Sequence, residues 1–170
     1  MTGVITFLGI GSNLGDSRNN CRDAVRRLQD LSGVSLVRTS SLYRTEPVGT
    51  PVGTMDQPWF VNAVVEVRTR LEPADLLRGL QEIEQDMGRR DKGTGGSRII
   101  DLDILLYGST VIDHEDLVIP HGELHRRRFV LVPLNEIAPW AIHPCFGISV
   151  QGLLDRLDDR SVVERIDDFA

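Results

Sequence analysis

Apolar positions along the chain alternate between a period of two and a period near 3.6, and the switches mark out the elements. Val4–Ile10 is β-branched and aromatic and ends in glycine, the pattern of a strand. Cys21, Ala24, Val25, Leu28 and Leu31 then recur at helical spacing. Asp16 or Ser17 is placed to cap that helix and Ser32-Gly33 to end it. Val34–Tyr43 reads as a second strand, followed by a loop rich in glycine and proline from Glu46 to Pro58. Trp59–Val67 is the third strand. Trp59, Val61, Ala63, Val65 and Val67 share its apolar face, and Phe60, Asn62, Val64 and Glu66 share the other. Pro73 opens a second helix carrying Leu76, Leu77, Leu80, Ile83 and Met87, which Gly88 closes. The loop Arg89–Arg98 leads to a fourth strand, Ile99–Tyr107. From Gly108 onward the elements are short, with a helix near Val150–Leu157. The order β-α-β-β-α-β predicts an α+β, ferredoxin-like core with C-terminal additions, its antiparallel sheet covered by helices. Residues 1–170 are expected to form a single domain.

Composition narrows the function. The chain is 41% hydrophobic and 26% charged, ordinary for a globular protein, and its net charge of −6 argues against a general polyanion binder. With only 5% aromatic residues it also lacks the stacking platform of an RNA-binding sheet. Two cysteines are too few for a disulfide framework, and Cys21 falls on the apolar stripe of the first helix as a buried thiol. Met1–Ile10 has no basic lead and runs straight into Gly11–Asp16, so it reads as a first strand rather than a signal peptide. No apolar run approaches the roughly 20 residues that span a bilayer. The expectation is a soluble cytoplasmic protein, a monomer, with neither membrane nor nucleic-acid partner.

Candidate chemistry concentrates in three places. In a strand, Asp101 and Asp103 point to one face while Ile100, Leu102, Ile104 and Leu106 point to the other. Two carboxylates so close require a compensating cation, and a hard divalent ion such as Mg²⁺ suits oxygen donors completed by substrate phosphates. The alternative is a solvated face with the carboxylates paired to arginines. Immediately before them, Gly88–Arg98 combines four basic residues with glycines, as a loop over a metal–triphosphate complex would. The third segment, Pro120–Phe129, supplies His121, His125 and three consecutive arginines. His121 and His125 would share a helical face, yet no acidic zincin signature accompanies them, and phosphate contact by His121 and an arginine is the better reading. Gly9-Ile10-Gly11-Ser12-Asn13-Leu14-Gly15 has the wrong spacing for a dinucleotide fingerprint and reads as a tight strand-to-helix turn.

Together these segments resemble the 6-hydroxymethyl-7,8-dihydropterin pyrophosphokinase family over nearly the whole chain. The resemblance is carried by Gly11-Ser12-Asn13-Leu14-Gly15-Asp16, Tyr43-Arg44-Thr45-Glu46-Pro47, Gln57-Pro58-Trp59-Phe60-Val61-Asn62-Ala63 and Arg98-Ile99-Ile100-Asp101-Leu102-Asp103-Ile104. Ile119-Pro120-His121, Arg127-Arg128-Phe129 and Pro133–Pro139 complete it. It implies transfer of pyrophosphate from ATP to the hydroxymethyl oxygen of a reduced pterin, releasing AMP, as a step in folate synthesis. It also implies two Mg²⁺ ions held by Asp101 and Asp103. By matching position, Arg89 and Arg98 clamp phosphates and, with Asp103, make up the catalytic set. Gln81, Glu84, Arg89, Lys92, Arg98, Ile104, His121 and Arg127 fall to ATP, with Gln81 and Glu84 on the polar side of the second helix and Ile104 near the adenine. Backbone groups of Thr45, Glu46 and Val48 would read the pterin edge, the Asn62 amide would pair with its heteroatoms, and Phe60 and Phe129 would sandwich the ring.

The chain departs from the commoner family pattern before the isoleucine, where Thr94-Gly95-Gly96-Ser97-Arg98 stands in place of Arg-Trp-Gly-Pro-Arg. Lys92 would substitute a point charge for a missing guanidinium, and Gly122 stands where some members of the family have an aromatic residue. Three other classes compete. A metal-dependent glycosyltransferase is usually longer. A ferredoxin-like ligand sensor would not need the carboxylate pair and the basic loop together, and an RNA-binding module would need a basic, aromatic sheet.

Overall fold

The computed structural model describes residues 2–49, 57–89 and 97–169. The first strand, β1 (Val4–Ser12), leads into α1 (Ser17–Asp30). There the Asp16 carboxylate caps the helix by accepting the Asn19 N–H at 3.1 Å. β2 (Val34–Thr39) and β3 (Leu42–Thr45) follow, then β4 (Phe60–Thr69), α2 (Pro73–Asp86) and β5 (Asp101–Tyr107). Two short hairpin strands, β6 (Ile112–His114) and β7 (Leu117–Ile119), precede a single 3-10 turn at Leu124–Arg126 and α3 (Arg128–Ile137). A second hairpin, β8 (Ile142–His143) and β9 (Ile148–Ser149), then α4 (Val150–Asp155) and β10 (Val163–Asp167), complete the order.

The main sheet runs β10-β3-β4-β1-β5, and all of its pairs are antiparallel. The expected second strand, Val34–Tyr43, is two strands. β2 pairs with one end of β4 and β3 with the other, so they lie along the same edge of β4. Ser40 and Ser41 make the break. Ser40 holds β4 through Val64, its N–H donating to the Val64 carbonyl at 2.8 Å and its Oγ accepting the Val64 N–H at 2.9 Å. Ser41 instead donates its N–H and Oγ–H to the Glu136 carboxylate of α3, which also accepts the Tyr43 hydroxyl at 2.7 Å. Counting β2 and β3 as one, the strand order is that of the predicted ferredoxin-like core.

Two cores flank the sheet. Leu8, Ile10, Val61, Ala63, Val65, Val67, Leu102 and Ile104 pack under α1 and α2. The opposite face is not the polar one that strand alternation suggests. Phe7, Val64 and Leu105 are buried there beneath α3 and α4, and Glu66 is 3% exposed. Leu106, expected beside Leu102 and Ile104, joins this second core because the β1–β5 register shifts between Phe7 and Leu8, placing Leu105 and Leu106 on one side. Trp59 departs from its predicted apolar face as well. It precedes β4, is 37% exposed, and lies under the Arg44 guanidinium at 4.2 Å. No helix among the described residues is long and apolar enough to cross a membrane.

Cys21 is fully buried in α1, and burial pushes its thiol up to about 12 against the opposing charge of Arg22, whereas Cys145 is exposed. A thiol-reactive disulfide reagent at pH 8 should therefore titrate one cysteine per folded chain and two only after unfolding, and Cys145→Ser should remove the fast phase. Two fast thiols in the folded protein would contradict this packing.

Candidate active site

The register of β1 builds the site. Gly11 lies opposite Asn62 on β4 and Asp101 on β5, and Gly9 opposite Val64 and Asp103. On the α3 side of the sheet these form transverse rows, Asn62–Gly11–Asp101 and Val64–Gly9–Asp103, each with a glycine in the middle strand. With no side chain on β1, a groove separates the amide of β4 from the carboxylates of β5. Strands are spaced ~4.8 Å apart, so the two walls stand about 10 Å from each other. One row further along, Phe7 replaces glycine and α3 closes over the sheet. The Gly-x-Gly read as a strand-to-helix turn is thus the floor of a cleft, and the turn itself follows at Gly15, with φ +71°.

The cleft measures about 620 Å³. Its β4 end is lined by Thr45, Glu46, Val48, Phe60 and Asn62, with Phe129 from the first turn of α3. The Asn62 amide is 8% exposed for its residue and donates to Thr45 Oγ1 at 2.6 Å. A Cβ on Gly11 would lie 2.7 Å from Asn62 Oδ1, so the amide takes up the space the glycine leaves. The β5 end is lined by Asp101, Asp103, Arg98, His121 and Arg127. His121 is laid along β5 by its N–H, which donates to the Leu105 carbonyl at 3.0 Å. Its Nδ1 accepts the Glu123 N–H, leaving Nε2 toward Asp103 at 3.9 Å.

Charge is unevenly compensated at this end. Asp101 is held on both oxygens, by Arg89 Nη1 at 2.5 Å and Arg98 Nη1 at 2.7 Å. The Asp103 carboxylate accepts no hydrogen bond from the described residues. Burial, and then the neighbouring Asp101 charge, push its carboxyl above the ordinary range, with His121, Arg127 and Arg98 opposing. Among the described residues no three metal-ligating side chains converge. The donor set is the two carboxylates, and it suits a hard cation whose remaining ligands are substrate oxygens and water.

Behind the carboxylates, Glu84 is not on a polar helix face. It is buried on α2, accepting the Leu102 N–H and Arg89 Nη1, both at 2.7 Å. Burial raises its carboxyl pKa, opposed by the Leu102 N–H and Arg89. Glu84 therefore satisfies an amide on the free edge of β5 and orients Arg89 toward Asp101.

One family model, described as 7,8-dihydro-6-hydroxymethylpterin-pyrophosphokinase, matches residues 7–139 of the sequence. The chain belongs to this family. The 2-amino-4-hydroxy-6-hydroxymethyldihydropteridine pyrophosphokinase of Haemophilus influenzae is 43% identical over 161 residues, covering 95% of this chain and 98% of that one. The Bacillus subtilis protein of the same name is 41% identical over 133 residues, covering 78% and 77%. The folic acid synthesis protein fol1 of Schizosaccharomyces pombe is 40% identical over 158 residues, but this chain spans 21% of its length. In structure, the chain superposes on wild-type Plasmodium falciparum HPPK-DHPS with a TM-score of 0.71 at 17% identity. That match covers 91% of this chain and 45% of the solved one, and it shows the shared fold.

Within this pyrophosphokinase framework, most residues singled out from sequence meet in one cleft. Four do not line it. Gln81 is half-buried on α2, Arg89 and Glu84 stand behind Asp101, and the Ile104 side chain is in the α1–α2 core at 4% exposure. Of the Glu46 backbone groups expected to read a ligand edge, the N–H donates to the Val162 carbonyl at 3.2 Å, and the Glu46 carboxylate accepts the Val162 N–H. Lys92 and Thr94 lie outside the described residues. His121 and His125 diverge, for His125 packs edge-on to Phe146 and His143. Gln57, Glu123 and Arg126 line the cleft without having been singled out, although all three sit in segments that carry the resemblance or the basic run.

Glu84→Ala would strip a partner from the Leu102 N–H and Arg89 at once. A loss of about 1–3 kcal/mol in urea unfolding is expected. An unchanged midpoint would mean that Glu84 does not brace this edge.

Proposed function

We propose that this chain transfers pyrophosphate from ATP to the hydroxymethyl group of 6-hydroxymethyl-7,8-dihydropterin, giving AMP and the pterin diphosphate. The observation that carries this reading is the glycine-floored cleft with an amide and two aromatic rings at one end and a carboxylate–arginine cluster at the other. A flat heterocycle and a polyphosphate have complementary needs, and the two ends answer them separately. Family membership supports the same reaction.

In this reading, Phe60 and Phe129 sandwich the pterin, and Asn62, fixed by Thr45, offers its amide to the ring heteroatoms. Thr45, Glu46 and Val48 close the ring's edge, Glu46 with its carbonyl, since its N–H is taken. The hydroxymethyl group then points across Gly11 toward β5. Arg98 and Arg127, with His121 Nε2–H, bind phosphate oxygens, and Arg89, braced by Glu84, holds Asp101 in place. Gln81 and Lys92 are assigned to the nucleotide on family position alone. Asp101 and Asp103 would hold Mg²⁺, two ions by analogy with the family, which would neutralise triphosphate charge beside them. The hydroxymethyl oxygen attacks the β-phosphorus, the bond from that phosphorus to the α-phosphate oxygen breaks, and the hydroxyl proton is released. Alignment and charge neutralisation carry this step, and no strong general base is required. Residues 1–170 would act as one domain, as a monomer.

AMP should form from ATP and Mg²⁺ only when the pterin is present, and Asp101→Ala or Asp103→Ala should abolish it. Pterin-independent AMP, or near-normal turnover in either variant, would overturn the assignment. Gly11→Ala tests the pterin end. The new Cβ would force the Asn62 amide from its place, so the KM for the pterin should rise on the order of tenfold, equivalent to ~1.4 kcal/mol, with the KM for ATP little changed. Equal changes in both would place Asn62 elsewhere in the mechanism.

A further inference from the structure

Asn13 stands outside the cleft lining, yet it touches Arg98 at one end and the segment that leads into β4 at the other. It is 3% exposed, in the turn between β1 and α1. Its Oδ1 accepts the Arg98 N–H at 2.7 Å, and its own N–H donates to the Arg98 carbonyl at 3.0 Å, so Arg98 is clipped on both sides of its backbone. Its Nδ2 donates to the Pro58 carbonyl at 3.2 Å. Arg98 reaches Asp101 three residues on, and Pro58 enters β4 two residues before Phe60. The turn that carries Asn13 is itself pinned from α1, where Asn20 Nδ2 donates to Ser12 Oγ at 3.2 Å and to the Leu14 carbonyl at 2.9 Å. One buried carboxamide therefore joins the chain entering β5 to the chain entering β4.

We propose that Asn13 is a positioning residue that sets the placement of the phosphate-binding Arg98 and the ring-stacking Phe60 relative to each other, each through a separate atom of its amide. The proposal rests on the reaction assigned above. The two atoms make it divisible. An aspartate keeps an acceptor for the Arg98 N–H but has no donor for Pro58, while an alanine removes both contacts and leaves only the main-chain bond to Arg98.

The test is steady-state kinetics on Asn13→Asp and Asn13→Ala beside the parent protein, with the emission of Trp59 as a second readout. Trp59 adjoins Pro58 beneath the Arg44 guanidinium, and a Trp140→Phe background leaves it the sole tryptophan. Loss of one hydrogen bond corresponds to about a 2- to 10-fold effect. Asn13→Asp should raise the KM for the pterin by that factor and leave the KM for ATP near the parent value. Asn13→Ala should raise both. Trp59 emission should shift, with easier acrylamide quenching, in both variants. Equal rises in the two KM values in Asn13→Asp, unchanged KM values in both variants, or a Trp59 signal identical to the parent would each overturn the proposal. If the parent itself forms no AMP, the assigned reaction fails, and the Trp59 signal alone decides whether Asn13 holds the Pro58 segment.

Discussion

Gly9 and Gly11 lie in register between residues of the strands on either side, and this absence of side chains on the middle strand is the constraint on which the cleft depends. In an antiparallel sheet, residues of adjacent strands stand side by side on one face, so a Cβ at Gly11 would enter the space between Asn62 and Asp101, while one at Gly9 would lie against the Leu105 side chain at 3.4 Å. At Gly11 the vacancy is already taken up by the Asn62 amide, which a Cβ would meet at 2.7 Å. Phe7, two residues before Gly9, ends the groove and begins the second core. A single strand thus changes from floor to core within three pleats.

The same face has to be dry at one end and open at the other, and α3 makes that division. Its C-terminal part is anchored by Glu136, whose carboxylate gathers Ser41 and Tyr43 at the break between β2 and β3. Its first turn carries Phe129 over the cleft, and the Arg127 that precedes it turns toward the carboxylates. The interruption of an otherwise continuous edge strand therefore has a structural role: it frees the Ser41 N–H to hold the helix that roofs the sheet. On the far side, Glu84 does comparable work for β5, satisfying an outer-edge amide while steadying Arg89 against Asp101.

Asp101 and Asp103 differ although they share a strand face two residues apart. Asp101 is bracketed by two guanidinium groups, whereas Asp103 faces His121 at 3.9 Å and gains its pKa shift from burial and from Asp101. The pairing of Asp101 with arginines is the arrangement that the sequence alone left open as an alternative to cation binding. The two are not exclusive, because of the two guanidinium groups on Asp101 only Arg98 lines the cleft, while Arg89 stands behind the carboxylate.

Local pattern was sufficient for much of this protein. Periodicity alone placed both major helices, β1, β4 and β5 within a few residues, because apolar spacing reports directly which face each element buries. The shared face of Asp101 and Asp103, and that of Phe60 and Asn62, followed from the strand pleat. What periodicity could not supply were the effects of partners distant in sequence. The bulge that sends Leu106 to the second core depends on pairing with β1, and the burial of Val64 depends on α3, some 65 residues away. Glu84 looks like a surface carboxylate until β5 offers it an amide, and Asn13 looks like a turn residue until Pro58 and Arg98 arrive beside it. The sequence by itself determined the two long helices, β1, β4 and β5, most of their apolar positions and the chemical types available. Only the tertiary structure decided register, and register decides which side chains stand opposite a glycine and so where a cleft can exist.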